Sequence, residues 1–138
     1  MNKRQRNWKA LLNKNAPLLL PAACDALTAK LIQDAGFVAY QIGGFAVDGT
    51  RMAFPDMDVT RLGEKSAIVR DIVHASDLPV LVDCDDGYGD AKNVTHTVHT
   101  YDFRPGVALH LSRKSVLPPS SSRTKSLLSA AVIWLARK

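Results

Sequence analysis

The stretch that decides the fold reads LPVLVDCDDGYGDAKN, residues 78–93. It begins with a short apolar run rich in β-branched residues, which predicts a buried strand of a parallel sheet. Four carboxylates and two glycines follow at the carboxyl end of that strand. Because side chains alternate along a strand, Asp83 and Asp85 are predicted to point the same way and Cys84 the other way. Two like charges side by side need a cation between them.

Length and composition describe one ordinary domain of 138 residues, 46% of them hydrophobic. No apolar run is long enough to span a membrane, and the basic first segment lacks the continuous apolar core of a signal peptide. Cys24 and Cys84 lie far apart and suit neither a disulfide framework nor a zinc site. We therefore expect reduced thiols and a cytoplasmic protein without a membrane partner, with a mitochondrial location left open.

The positive charge of the chain is concentrated after Asp102. All 13 acidic residues lie at or before that position, and the last 36 residues carry seven of the 18 Lys and Arg. This asymmetry raises the hypothesis of a nucleic-acid-binding tail. However, residues 127–135 read LLSAAVIWL, which is too apolar for a solvated arm, and the basic residues lack aromatic interleaving. We expect no nucleic-acid partner.

Before Asp102, segments with the pattern of a strand alternate with segments with the pattern of a helix. Strands are predicted at 17–22, 37–42 and 78–83, helices at 6–15, 25–36, 59–76 and 90–102, and a glycine-bearing loop at 43–56. Three βα units in about a hundred residues predict an α/β fold with a parallel sheet or barrel. In such folds the chemistry gathers at the carboxyl ends of the strands, where the carboxylates of residues 83–90 lie.

Four segments carry a family resemblance: LLLPAACDALTAKLIQDAGF, YQIGGFAV, FPDMD and LPVLVDCDDGYGDAKNVTHTVHTYD. In this order and spacing the chain resembles the isocitrate lyase and phosphoenolpyruvate mutase superfamily, of the 2-methylisocitrate lyase or phosphonomutase type. The resemblance covers residues 18–102, and its most specific element is the DxD followed by GYG. It implies that residues 1–102 form an N-terminal fragment, about three βα units, of a TIM-type (β/α)8 barrel.

The resemblance also implies a site for Mg²⁺, with Mn²⁺ as an alternative. Asp83 and Asp85 match the family's metal-binding DxD, and Asp56 matches a catalytic carboxylate aimed at the same ion. Gly43 and Gly44 match the substrate-binding loop, where the family usually reads Ser-Gly. The ion would stabilise the enolate formed when a C–C or C–P bond breaks beside a carbonyl. The implied substrate is a small 2-hydroxy or 2-oxo carboxylate, and the implied intact parent is a homo-oligomer, a tetramer.

Plainer interpretations compete with the metal site. As a calcium loop starting at Asp83, the stretch has Tyr88 where Gly is required and Val94 where Glu is required. Without the resemblance, an Asp-rich turn is more often a helix cap in a solvated loop. His96 and His99 could share a metal, but they also fit an exposed helix face.

Residues 103–138 are predicted to be an irregular, non-homologous tail. The family continues with a strand bearing Glu-Asp and a closing loop with Lys-Arg-Cys-Gly-His, and residues 112–138 contain neither. We therefore translated the underlying codons in a shifted frame. In that frame each new codon consists of the third base of one residue's codon and the first two bases of the next residue's codon. From Ser115 to Arg137, one choice of synonymous codons then gives GASALFIEDQKSPKRCGHMAGKE. We interpret the tail as out of frame, through a retained intron, a misplaced splice junction or a frameshift.

Three hypotheses about function follow. The first is a fragment of a Mg²⁺-dependent C–C lyase or C–P phosphonomutase, inactive as translated because the Glu and Cys of the missing segments are absent. The second is a small basic protein that binds nucleic acid through its tail. The third is a catalytically dead partner that docks on full-length barrels.

Overall fold

Three short parallel strands form the centre of the fold. The computed structural model describes residues 8–57, 59–101 and 106–111. The elements in chain order are α1 Trp8–Lys14, α2 Ala26–Asp34, β1 Tyr40–Ile42, α3 Gly44–Met52, α4 Leu62–Ala75, β2 Val80–Asp83, α5 Ala91–Tyr101 and β3 Val107–His110. The sheet order is β1-β2-β3, with Val80 opposite Tyr40 on one side and opposite Val107 on the other. The predicted α/β class with a parallel sheet is confirmed.

The hydrophobic core lies between the sheet and helices α2, α4 and α5. The sheet and the turn after β2 contribute Tyr40, Ile42, Val80, Val82 and Cys84, and the helices contribute Ala29, Ile32, Ile68, Val69, Ile72, Val73, Val94, Val98 and Tyr101. The alternate positions of the strands line a cavity of about 350 Å³, whose lining includes Gln41, Leu81, Asp83 and His110. Since a TIM barrel keeps its helices outside, this cavity-lining face corresponds to the barrel interior.

Helix α2 begins one residue after the predicted start, because Asp25 is its N-cap. Asp25 has an extended backbone, and its Oδ1 accepts hydrogen bonds of 2.7 Å from both the backbone N–H and the hydroxyl of Thr28. These hydrogen bonds lower the pKa of Asp25 below its ordinary value of 3.8. Asp90 does the same for α5, since its Oδ1 accepts from the N–H groups of Lys92 and Asn93. The predicted Asp90 cap is confirmed.

Replacing Asp25 with Ala is expected to lower the free energy of unfolding by about 1 kcal/mol, because the first turn of α2 loses its acceptor. Asp25→Asn keeps a capping oxygen and should change stability by only a few tenths of a kcal/mol. Since the folded pKa lies below 3.8, the charged cap stabilises fully above that pH and is lost as pH falls through the folded pKa. Urea titrations of the three proteins at neutral pH test the ranking. Equal losses for Ala and Asn would contradict it.

Residues 44–52 correct one sequence prediction, because they form helix α3 where a loop was expected. The three glycines between 43 and 49 favoured a loop. Tertiary burial outweighs that local preference, since Val47 is buried in the core and Asp48 is almost completely buried. The helix ends at Ala53, whose left-handed φ of 55° closes it.

Two further elements differ from the sequence prediction. The predicted strand at 17–22 is reduced to an isolated parallel bridge between Ala22 and Gln41. Strand β3 was not predicted, because residues after Asp102 were assigned to the irregular tail. The predicted boundary at 102 and 103 therefore falls between α5 and a strand that pairs with β2. The rest of the tail, including the segment 115–137 read in the shifted frame, lies outside the described residues.

The first helix contacts the amino end of β3. The indole N–H of Trp8 on α1 donates a 3.2 Å hydrogen bond to the carbonyl of Gly106, directly before β3. None of the helices in the described ranges is long and apolar enough to cross a bilayer.

Candidate functional site

A tight turn follows β2 and shapes the site. The Oδ1 atom of Asp83 accepts a 3.2 Å hydrogen bond from the N–H of Asp85, and the N–H of Gly87 donates to the Cys84 carbonyl at 2.7 Å. Asp85 and Tyr88 have positive φ angles of 50° and 65°. Such angles cost a non-glycine residue roughly 1–2 kcal/mol and cluster at functional sites. The turn therefore holds Asp85 in a strained but defined position.

Lys65 of α4 is buried among carboxylates at this turn. Its Nζ atom lies 2.8 Å from Asp85 Oδ2 and 3.4 Å from Asp48 Oδ2, and only 3% of the lysine side chain is exposed. The ring centroid of Tyr88 is 5.7 Å from the same nitrogen, a cation–π contact. Asp48 is 1% exposed, and its Oδ1 has no hydrogen-bond partner. One ammonium thus pairs with one buried and one partly buried carboxylate.

The charge of Lys65 is maintained by its partners. Burial alone would lower the pKa of the ammonium, because it removes hydration of the charged form. The hydrogen bond that Lys65 donates to Asp85 and the negative charges of Asp85 and Asp48 outweigh burial, so the pKa of Lys65 is raised above its ordinary value of 10.5. Lys65 is therefore a permanent cation at neutral pH.

Gly44 is the point where three charged groups converge. A Cβ atom at this position would lie 3.3 Å from Lys65 Nζ, 3.4 Å from Asp85 Oδ1 and 3.5 Å from Asp56 Oδ1. A Cβ at Gly43 would have nothing within 4 Å. The missing side chain of Gly44 therefore leaves a small space bordered by two carboxylate oxygens and one ammonium.

Asp83 faces a different partner, at the edge of the cavity described above. Its Oδ1 lies 3.2 Å from Nδ1 of His110, the residue directly opposite it in the register of β2 and β3. Both side chains are partly exposed, and Leu18, Leu20 and Leu81 contribute an apolar lining to the same cavity. The arrangement is a carboxylate–imidazole pair beside an apolar surface.

Three groups behind the turn are held in their neutral forms. Burial first, and then the negative charges of Asp83 and Asp85, raise the pKa of the Cys84 thiol well above its ordinary value. Burial is also the main reason that the phenol pKa values of Tyr88 and Tyr101 are raised. These side chains are therefore a neutral support for the charged cluster rather than nucleophiles or bases.

The predicted site residues divide into two groups. Asp56, Asp85 and Gly44 come together, whereas Asp83 pairs with His110 and Gly43 lies in open space. Each carboxylate of the DxD has its own contact, Asp85 with the ammonium of Lys65 and Asp83 with the imidazole of His110. No group of three or more His, Cys, Asp or Glu side chains in the described part of the chain is placed to hold a metal ion. The metal assignment stays a prediction.

Sequence reasoning missed Lys65, Asp48 and His110. A lysine on an amphipathic helix ordinarily indicates a solvated face, and Asp48 was placed in a loop. His110 lies in the strand assigned to the tail. His96 and His99 are both exposed on α5, as the plainer interpretation predicted.

Comparison with known proteins identifies the family. The family described as phosphoenolpyruvate phosphomutase matches residues 8–108. The chain therefore belongs to the phosphoenolpyruvate mutase and isocitrate lyase superfamily, a superfamily of lyases and phosphonomutases. The resemblance inferred from the sequence is confirmed, and the match extends past Asp102.

Individual relatives agree with this assignment. The chain is 34% identical over 110 residues to 2,3-dimethylmalate lyase of Eubacterium barkeri, covering 80% of this chain and 38% of that protein. It is 37% identical over 90 residues to 2-methylisocitrate lyase of Halalkalibacterium halodurans, covering 65% and 30%. The crystal structure of phosphoenolpyruvate phosphomutase from Streptomyces platensis superposes with a TM-score of 0.70 at 28% identity, covering 81% and 39%. The chain thus spans well under half the length of these TIM-barrel relatives, and the predicted fold class is confirmed.

Proposed function

We propose that this chain carries the first part of a divalent-metal-dependent lyase or phosphonomutase site for a small 2-hydroxy or 2-oxo carboxylate. Asp56, Asp83 and Asp85 would form the metal shell, and Gly43 and Gly44 the substrate loop. The observation that most supports the proposal is the convergence of Asp56 Oδ1 and Asp85 Oδ1 on the space left by Gly44.

The donor set at Gly44 fits Mg²⁺ or Mn²⁺ in chemistry. Mg²⁺ is usually held by one or two carboxylates and keeps several waters or substrate oxygens, so it does not need a closed protein cage. Asp56 and Asp85 supply two hard oxygen donors there, and Asp83 lies two residues away at the end of β2. When bound, the ion would supply the positive charge that stabilises an enolate as a C–C or C–P bond breaks.

Backbone donors at the start of α3 suit a carboxylate substrate. Gly43 is the N-cap of α3 and makes no side-chain cap hydrogen bond. The first N–H groups of a helix lack intrahelical partners and lie at the positive end of its dipole. A substrate carboxylate could accept from these N–H groups, so the loss of the family's usual Ser at Gly43 leaves an anion site made of backbone alone.

Replacing Asp85 with Asn is expected to weaken Mn²⁺ binding at least tenfold, because a carboxylate ligand is lost at a site with few donors. The measurement is the free-Mn²⁺ EPR signal during titration of the 138-residue chain. Asp71→Asn on the exposed side of α4 makes the same charge change away from the site and should leave affinity within twofold. Equal affinities of all three proteins would rule out Asp85 as a ligand.

We further propose that the chain as translated does not turn over substrate, because the segments that would supply the strand-borne Glu and the loop Cys are not read in frame. Sequencing the transcript across the codons for Tyr101–Lys138 tests this. If the shifted frame encodes Glu-Asp-Gln and Cys-Gly-His, the missing Glu and Cys belong to a longer protein, as we expect. Confirmation of the printed tail, together with turnover of any 2-hydroxy di- or tricarboxylate, would contradict the proposal. For the intact parent we expect a cytoplasmic location and a homotetrameric assembly.

A further inference from the structure

The ammonium of Lys65 lies where a divalent cation would have to act. It is 2.8 Å from Asp85 Oδ2, and it is 3.3 Å from the Cβ position of Gly44 that the Oδ1 atoms of Asp56 and Asp85 also approach. The lysine approaches from α4, which packs behind the sheet in the core. The carboxylate proposed as a metal ligand therefore already has a cation of the protein's own.

The buried partner Asp48 fixes this arrangement from the other side. Its Oδ2 lies 3.4 Å from Lys65 Nζ, whereas its Oδ1 is buried without a hydrogen-bond partner. A buried carboxylate oxygen without a partner is costly, so Asp48 is only partly satisfied by one shared ammonium. If Lys65 moved away from Asp85, Asp48 could accept a second hydrogen bond from the same ammonium, which has three donors.

We propose that Lys65 is an internal counter-ion that competes with the divalent cation for Asp85. In the metal-free state the ammonium neutralises Asp85. When a metal ion binds, its charge repels the ammonium, and the ammonium transfers to Asp48. This inference rests on the proposed metal site and adds a regulating residue to it: Lys65 lowers metal affinity and keeps the empty site neutral enough to stay folded.

The test uses the double variant Asp48→Asn/Lys65→Met, which removes the competitor without changing net charge and neutralises the fully buried Asp48 together with its ammonium. Mn²⁺ is titrated into the 138-residue chain and free Mn²⁺ is followed by EPR. We expect the Kd for Mn²⁺ to fall about tenfold. The matched control Lys30→Met/Asp34→Asn removes an exposed ion pair of 3.3 Å on α2 and should leave Kd within twofold.

The possible outcomes distinguish failure of this inference from failure of the proposed metal site. Wild-type binding that depends on Asp85, with an unchanged or higher Kd in the double variant, overturns the competition and leaves the metal site intact. No Mn²⁺ binding by any of these proteins overturns both.

A second measurement uses the wild-type protein, so it tests the inference even when the double variant fails to fold. Reductive methylation followed by mass spectrometry reports the accessibility of each lysine. Saturating Mn²⁺ should lower the labelling rate of Lys65 severalfold, because the ammonium moves from Asp85, which is 15% exposed, to Asp48, which is 1% exposed. The labelling rate of exposed Lys30 should stay unchanged. An unchanged Lys65 rate at saturating Mn²⁺ overturns the inference.

Discussion

Replacing Lys65 with Met is expected to lower the free energy of unfolding by about 3–5 kcal/mol, the usual loss when one partner of a buried ion pair is removed. Asp48 is 1% exposed and cannot recover its hydration without local unfolding, whereas Asp85 is 15% exposed and is only partly hydrated. A loss of this size is a large part of the 5–15 kcal/mol that stabilises a typical domain. Urea unfolding followed by far-UV circular dichroism measures it.

Two variants show whether the loss comes from the unpaired charge. Asp48→Asn/Lys65→Met neutralises the fully buried Asp48 and leaves only the partly exposed Asp85 without Lys65. It should recover most of the stability, because apolar or neutral replacements of a buried pair are often tolerated. Lys30→Met breaks an exposed pair and should cost less than about 1 kcal/mol. A Lys65→Met protein as stable as the wild type would show that the two carboxylates are hydrated or protonated in the folded state.

Replacing Gly87 with Ala is expected to cost about 3 kcal/mol, from two sources. The φ of Gly87 is +84°, which costs an L-residue roughly 1–2 kcal/mol. The new Cβ would also lie 2.6 Å from Val94 Cγ2, and such overpacking typically costs 1–3 kcal/mol. The turn cannot easily move away, because the Gly87 carbonyl accepts a 2.9 Å hydrogen bond from the buried hydroxyl of Thr97.

Gly63→Ala is the matched control for this change. Gly63 lies in α4 and its added Cβ would meet nothing within 4 Å, so the same substitution should stabilise by up to about 1 kcal/mol. Adding Val94→Ala to Gly87→Ala removes the steric contact but leaves the backbone strain at residue 87. The same change also removes the packing of the Val94 side chain in the core. Denaturant midpoints of the three variants give the comparison. Gly87→Ala as stable as Gly63→Ala would refute the steric argument.

Local signals in the sequence predicted the elements with strong boundaries. The cap Asp90 marked the start of α5, because capping is a short-range hydrogen bond between near neighbours in sequence. The β-branched run of residues 78–83 predicted β2 for a similar reason. By contrast, α3 depends on burial of Val47 and on the pairing of Asp48 with α4, which no local pattern reports.

The candidate site was predictable only in part. The spacing of Asp83 and Asp85 placed both carboxylates at the end of one strand, but their partners come from distant parts of the chain. Lys65 precedes Asp85 by twenty positions and His110 follows Asp83 by twenty-seven, so their contacts exist only after the sheet has formed. The sequence indicated where negative charge gathers, whereas the fold decides which side chains pair with it.

The buried Cys84 gives the chain a built-in reporter of motion. Its thiol is fully buried at the carboxyl end of β2, while Cys24 is partly exposed beside α2. A thiol reagent can reach Cys84 only when the turn that carries Asp85 separates from the core. The ratio of the two labelling rates therefore measures how often this end of the strand opens, in a protein that needs no introduced probe.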